Sequence, residues 1–233
     1  MKNYMIAMMA VMFLIAGCSD SVISDSVIAD SPIHDGVNDK TIAIYVIMDG
    51  SGSMAQNNKW KTANSSLINL GEKIDKYLKD NATRNVLAGI VLFNDGNISV
   101  TDFGVVTNNI TQKYQRWIKS YGDNRPDGGT PIGRSIETAA SYFKRDNVKS
   151  KHIMVITDGE NTMGSTPEES IKSLKMDKNN IFSTYFIAFD INASVFNSVK
   201  ELGCKVFSAS NGKELESQIN TIVKEEILLE KED

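Results

Sequence analysis

Three short segments carry oxygen-donor side chains at close spacing. They read Asp49-Gly50-Ser51-Gly52-Ser53, Asp127-Gly128-Gly129-Thr130-Pro131 and Thr157-Asp158-Gly159-Glu160. Two carboxylates, Asp49 and Asp158, and three hydroxyls, Ser51, Ser53 and Thr130, form a set of hard donors. Magnesium takes six oxygens at ~2.0–2.1 Å and keeps some of its waters. Hydroxyls are neutral, so two aspartates balance a divalent charge. An open coordination position can then accept an anionic oxygen from a partner. Mn²⁺ and Ca²⁺ suit the same donors. The flanking glycines let the backbone turn sharply and leave room for a ligand. Taken singly, each segment has a plainer role: Ser53 as a helix cap, Asp158 as a turn residue. Only their joint placement argues for a cation.

The elements that must position them follow from hydrophobic pattern. Residues 41–48 form an unbroken β-branched and apolar run, as a strand buried on both faces requires. Trp60, Ala63, Leu67, Leu70, Ile74 and Tyr77 recur at helical steps within residues 59–80. Residues 85–93 read as a second buried strand, Asn94-Asp95-Gly96 as a tight turn and residues 97–102 as an edge strand. Helices are predicted over 110–121, 131–144, 167–176 and, briefly, 193–202, with a last amphipathic one around Leu215, Ile219, Ile222 and Val223. Strands are predicted over 151–157, 181–189 and 205–208. This order predicts an α/β fold. It is doubly wound, with a mainly parallel six-stranded sheet, one antiparallel edge strand and helices on both faces. Such sheets bind ligands at the carboxyl ends of their strands, where the strand order reverses. The three donor segments fall at or near those ends.

At this point a family resemblance becomes plain. Asp49-x-Ser51-x-Ser53, Gly-Gly-Thr130-Pro131 and Thr157-Asp158-Gly159 together resemble the metal-ion-dependent adhesion site of von Willebrand factor type A domains, a Rossmann-like fold. The resemblance spans about residues 40–225. It implies that Ser51, Ser53 and Thr130 contact the metal, with Asp49 and Asp158 contributing directly or through water. It also implies that loops around the site carry ligand selectivity. Asp123 and Arg125, beside the Thr130 loop, and Glu160 are candidates. Glu160 also reads as a solvated loop charge.

Other chemistries fit less well. Only two histidines are present, His34 and His152. A Ser-His-Asp hydrolase would need His152, which begins the strand ending near Asp158, about 20 Å from the serines at ~3.3 Å per residue. No Gly-x-Ser-x-Gly and no phosphate-binding Gly-x-x-x-x-Gly-Lys occurs. A formal charge of −4, from 25 basic and 29 acidic residues, provides no field for nucleic acid. Two cysteines, Cys18 and Cys204, build neither a disulfide framework nor a zinc site. Cys204, beside Gly203 and close to Val206 and Phe207, reads as a buried structural thiol.

Residues 1–17 read as a signal peptide. Lys2 supplies the positive region, and residues 5–15 are an apolar run too short to span a bilayer. The run ends Leu14-Ile15-Ala16-Gly17-Cys18, which resembles a bacterial lipobox with Cys18 as the acylated residue. Ser19 after it implies the outer membrane if the cell is Gram-negative. Residues 20–34 repeat an Asp-Ser-x-Ile unit three times. Residues 18–39 are therefore expected to be the lipidated cysteine and a flexible linker, with a reach of roughly 25 Å. His34 falls in this tether and has no expected role. Residues 40–230 are the expected domain. The expected function is a lipid-anchored binding protein of the cell envelope, not an enzyme, that recognises a carboxylate of a protein ligand through Mg²⁺, or Mn²⁺ or Ca²⁺. The alternatives are an envelope assembly or regulatory factor that uses the fold as a scaffold, and a metal-assisted hydrolase.

Overall fold

The computed structural model describes residues 33–121, 125–144, 146, 148–177 and 181–228. The expected signal peptide, Cys18 and Asp123 lie outside the described residues. Six strands form one sheet: β1 (Thr41–Asp49), β2 (Asn85–Asn94), β3 (Asn97–Val106), β4 (Ser150–Thr157), β5 (Ser183–Phe189) and β6 (Lys205–Ala209). Their order is β3-β2-β1-β4-β5-β6. Only the β2–β3 pair is antiparallel. The doubly wound fold expected from the sequence is the fold observed.

Helices cover both faces because the central strands are apolar on both. On β1, Ile42, Ile44, Val46 and Met48 pack with Leu67, Leu70 and Ile74 of α1 (Lys59–Asp80), Tyr114 of α2 (Ile110–Tyr121) and Ile219 of α6 (Gly212–Thr221). Ala43, Tyr45 and Ile47 face the other way. They join Ile136 and Phe143 of α3 (Ile132–Lys144), Ile171 of α4 (Pro167–Lys175) and Val199 of α5 (Asn197–Glu201). The chain ends its described course in a π-helical turn, Ile222–Ile227. Among the described residues no helix is long and apolar enough to cross a membrane.

Three local features differ from the sequence expectation. The edge strand β3 continues to Val106 instead of ending at Asp102. A bulge allows this: Gly89 pairs with Asp102 and Ala88 with Gly104, so Phe103 is the extra residue. The bulge breaks the two-residue alternation, which is why the pattern seemed to stop. The segment Gly52–Asn58 forms a 3₁₀ turn ahead of α1, with Asn57 and Asn58 at positive φ. Finally, His34 is bonded to the domain. Its Nε2 lies 2.6 Å from Asp102 Oδ2 and its Nδ1 2.7 Å from Asp146 Oδ2. Its backbone N–H also donates to Asp146 Oδ1 at 3.1 Å. Val37, nearby in sequence, packs against the α3 side of the core.

Candidate metal centre

β1 is flanked by β2 on one side and β4 on the other, so the strand order reverses around it. Met48 pairs with Ile156, which sets Asp49 beside Thr157 at the carboxyl edge of the sheet. This is the crevice where doubly wound sheets take ligands.

Asp49 closes β1 and is fully buried. Its Oδ1 accepts the Ser51 N–H at 2.8 Å, and its Oδ2 accepts the Thr157 hydroxyl at 2.5 Å. Burial pushes the Asp49 carboxyl up, while the Ser51 and Thr157 hydrogen bonds hold it down. The net direction is up. The Ser51 and Ser53 hydroxyls lie 3.2 Å apart, and Ser53 Oγ donates to Asp158 Oδ1 at 2.5 Å. A Cβ placed on Gly159 would stand 3.6 Å from Thr130 Oγ1 and 3.9 Å from Ser53 Oγ, so these two hydroxyls flank the same glycine. The five predicted donors therefore converge. Ser51, Thr130 and Asp158 are buried and Ser53 is half-buried.

The loops are stitched together by backbone. Gly50 N–H donates to Phe93 O at 2.8 Å, Asp127 N–H to Gly50 O at 2.9 Å and Asp95 N–H to Asp127 O at 2.8 Å. Thr130 is gripped from the loop after β4: its N–H donates to Thr162 Oγ1 at 2.8 Å, and Thr162 N–H donates to its carbonyl at 3.0 Å. Gly128 is required where it stands. Its φ is +74°, and a Cβ there would lie 2.5 Å from Asp95 Cα.

Sequence reasoning missed Lys59, Thr162 and Asp190 as parts of this site, and it quoted Thr157 without giving it a role. Lys59 Nζ lies 2.8 Å from Asp158 Oδ2 and 3.2 Å from Asp190 Oδ2. Burial lowers the affinity of its amine for the proton, but the bonds and charges of Asp158 and Asp190 outweigh that and the net direction is up. A signal existed for Lys59, since it sits one helical step before Ala63 on the buried stripe of α1. A lysine in an apolar phase marks a buried charge. Arg125 is exposed, and its carbonyl accepts from Asn94 Nδ2 at 3.2 Å. Glu160 is also exposed. His152 is buried in β4 with Ser150 Oγ 2.7 Å and Tyr185 Oη 3.1 Å from its ring nitrogens. Cys204 is buried, and burial pushes its thiol up.

The donor set fits a hard divalent cation: two buried carboxylates and three hydroxyls, all oxygen, at a sheet edge. Among the described residues no group of three His, Cys, Asp or Glu side chains could hold a metal ion, so any cation here would depend on the hydroxyls.

No curated protein matches the chain by sequence. Solved structures do resemble it. The pilus adhesin SpaC from Lactobacillus rhamnosus GG, in its open conformation, superposes with a TM-score of 0.60 and 14% identity, over 84% of this chain and 30% of that one. The present chain thus spans about a third of SpaC. The PilB minor pilin from Streptococcus sanguinis gives 0.58 and 17%, over 85% of this chain and 63% of that one. The vWF domain of the type V pili tip protein Mfa5 from Porphyromonas gingivalis gives 0.58 and 14%, over 81% and 95%. At such identities the likeness is one of fold. The family model of the von Willebrand factor type A domain matches residues 43–224, most of the sequence, and the chain belongs to that family.

Proposed function

We propose that this protein is a non-enzymatic binding protein that recognises a carboxylate of a protein partner through a divalent cation, most simply Mg²⁺. The cation would be held by Asp49, Ser51, Ser53, Thr130 and Asp158. The observation that carries this reading is the convergence of those five oxygen donors at the switch point of the sheet. When bound, the cation supplies an open position for an anionic oxygen. The chain's own residues do the rest. Thr157 and the Ser51 N–H orient Asp49, Ser53 orients Asp158, and Thr162 fixes Thr130. Arg125, in the loop before Thr130, and Glu160, two residues after Asp158, are exposed and available to select among partners. The similar structures from pilus adhesins and pilins support a role in protein binding at the cell surface. The Leu14-Ile15-Ala16-Gly17-Cys18 segment supports a lipid anchor at Cys18 in the cell envelope.

Calorimetric titration of Mg²⁺, Mn²⁺ and Ca²⁺ into residues 19–233 tests the site. Saturable one-site binding is expected, and it should vanish in an Asp49→Ala, Asp158→Ala double variant that keeps its circular dichroism. Absence of binding by all three cations, or equal binding by the double variant, overturns the reading.

A further inference from the structure

Lys59 is the charged group that the proposed cation site does not explain. It is 9% exposed, a rare state for lysine unless it is paired. It opens α1, where a positive charge opposes the helix dipole, so the helix gains nothing from it. Asn57 and Asn58, at φ 51° and 57°, turn the chain immediately before it. Such backbone is uncommon outside glycine, though asparagine tolerates it best. Two successive left-handed residues thus precede a lysine whose ammonium reaches Asp158.

The Asp158 carboxylate is divided between two cationic or donor partners. Its Oδ1 accepts from Ser53 Oγ at 2.5 Å. Its Oδ2 accepts from Lys59 Nζ at 2.8 Å, and its side chain is fully buried. Asp190 offers the same ammonium a second carboxylate at 3.2 Å, on a side chain that is 43% exposed. A buried carboxylate without a positive partner is strongly disfavoured. Lys59 supplies that partner whether or not a cation is bound.

We infer that Lys59 is a built-in counter-cation of Asp158 that sets how tightly the site holds a divalent ion. This rests on the metal-site reading above. In the cation-free state the ammonium neutralises Asp158 and keeps the donors in place. With a cation bound, the ammonium would share the Asp158 carboxylate with the ion and repel it. Asp190 draws part of that charge away from Asp158. The site is therefore pre-formed but weak, and the added negative charge of a partner's carboxylate favours retention of the ion.

The test uses residues 19–233 and the metals alone. Lys59→Gln keeps a hydrogen-bond donor and removes the charge. It is expected to bind Mg²⁺ and Mn²⁺ about tenfold more tightly than the wild type, the scale of a unit charge a few ångströms away in a polar setting. It should also gain more melting temperature from Mg²⁺. Lys59→Arg, which restores the charge, should return towards wild-type affinity. Asp190→Asn, at an exposed position, leaves the ammonium wholly to Asp158 and should weaken binding several-fold. That variant keeps the idea testable if Lys59→Gln fails to fold. Wild-type binding with unchanged or weaker affinity in folded Lys59→Gln overturns the inference and leaves the metal site standing. Unchanged or tighter binding in Asp190→Asn also overturns it. No binding by wild type or by any of the three variants overturns the metal site, and this inference with it.

Discussion

His34 shows how much one side chain can do at the edge of a fold. Both ring nitrogens face carboxylate oxygens, Asp102 on β3 and Asp146 after α3. Only the doubly protonated ring can donate to both. Tyr45 on β1 adds a third group by donating to Asp102 Oδ1 at 3.0 Å, and its ring lies 5.8 Å from that of Tyr142 on α3. Burial lowers the His34 pKa, but the bonds to Asp102 and Asp146 and their charges prevail, so it rises above its ordinary 6.5. The sign follows from linkage. A group whose folded pKa is raised contributes its full stabilisation below the unfolded pKa and loses it as pH climbs through the folded value. His34→Ala should therefore cost about 1.5–3 kcal/mol at pH 5.5, the range for hydrogen bonds to charged groups, and clearly less at pH 9. Urea unfolding of wild type and variant at the two pH values measures this. An equal cost at both would show that His34 contributes only packing.

At the scale of elements, the site depends on loops clamped to one another. Asp127 accepts from Asp95 and donates to Gly50, while the Gly128 carbonyl accepts from Gly52 N–H at 3.3 Å. Gly128→Ala places a methyl against backbone at a left-handed φ, where nothing flexible can yield. The expected result is a loss of about 1–3 kcal/mol in stability, the scale of such backbone strain. The proposed Mg²⁺ binding should weaken too, because Thr130 follows two residues later. Thermal melting and calorimetry on the same sample check both, and a variant with wild-type melting and binding would refute the clamp. The placement of the five oxygen side chains near one another was legible in the sequence because each lies at or near a strand or helix end that periodicity locates. Of their supports the pattern offered at most a buried charge at Lys59, and it paired none of them. Lys59 and its partner Asp158 are 99 residues apart, and His34 and Asp146 are 112 apart. No local pattern encodes such pairs. The extension of β3 past Asp102 was hidden for a different reason, since the bulge at Ala88 and Gly89 cancels the alternation that defines a strand.

At the scale of the whole molecule, one sheet serves two cores. β1 sends Ile44 and Val46 to the α1 side and Tyr45 and Ile47 to the α3 side, and all four are fully buried. Neither core can loosen without exposing the other face of the same strands. The domain should therefore unfold as one unit, carrying the oxygen cluster with it. The two tryptophans permit a sharp test because both lie on one side. Trp60 of α1 and Trp117 of α2 meet edge to face at 6.3 Å, and Trp60 directly follows Lys59. Phe143 sits on the opposite side, fully buried against Tyr45 and Phe182. Phe143→Ala should cost about 3–5 kcal/mol as a large-to-small change in a closed core. In a domain of this size that lowers the melting temperature by roughly 10 °C. If the sheet couples the two cores, tryptophan fluorescence and far-ultraviolet circular dichroism must fall together, with coincident midpoints. A fluorescence midpoint that stays near the wild-type value while the dichroism shifts would mean that the α1 side, with the carboxyl end of β1, holds its structure independently of the α3 side.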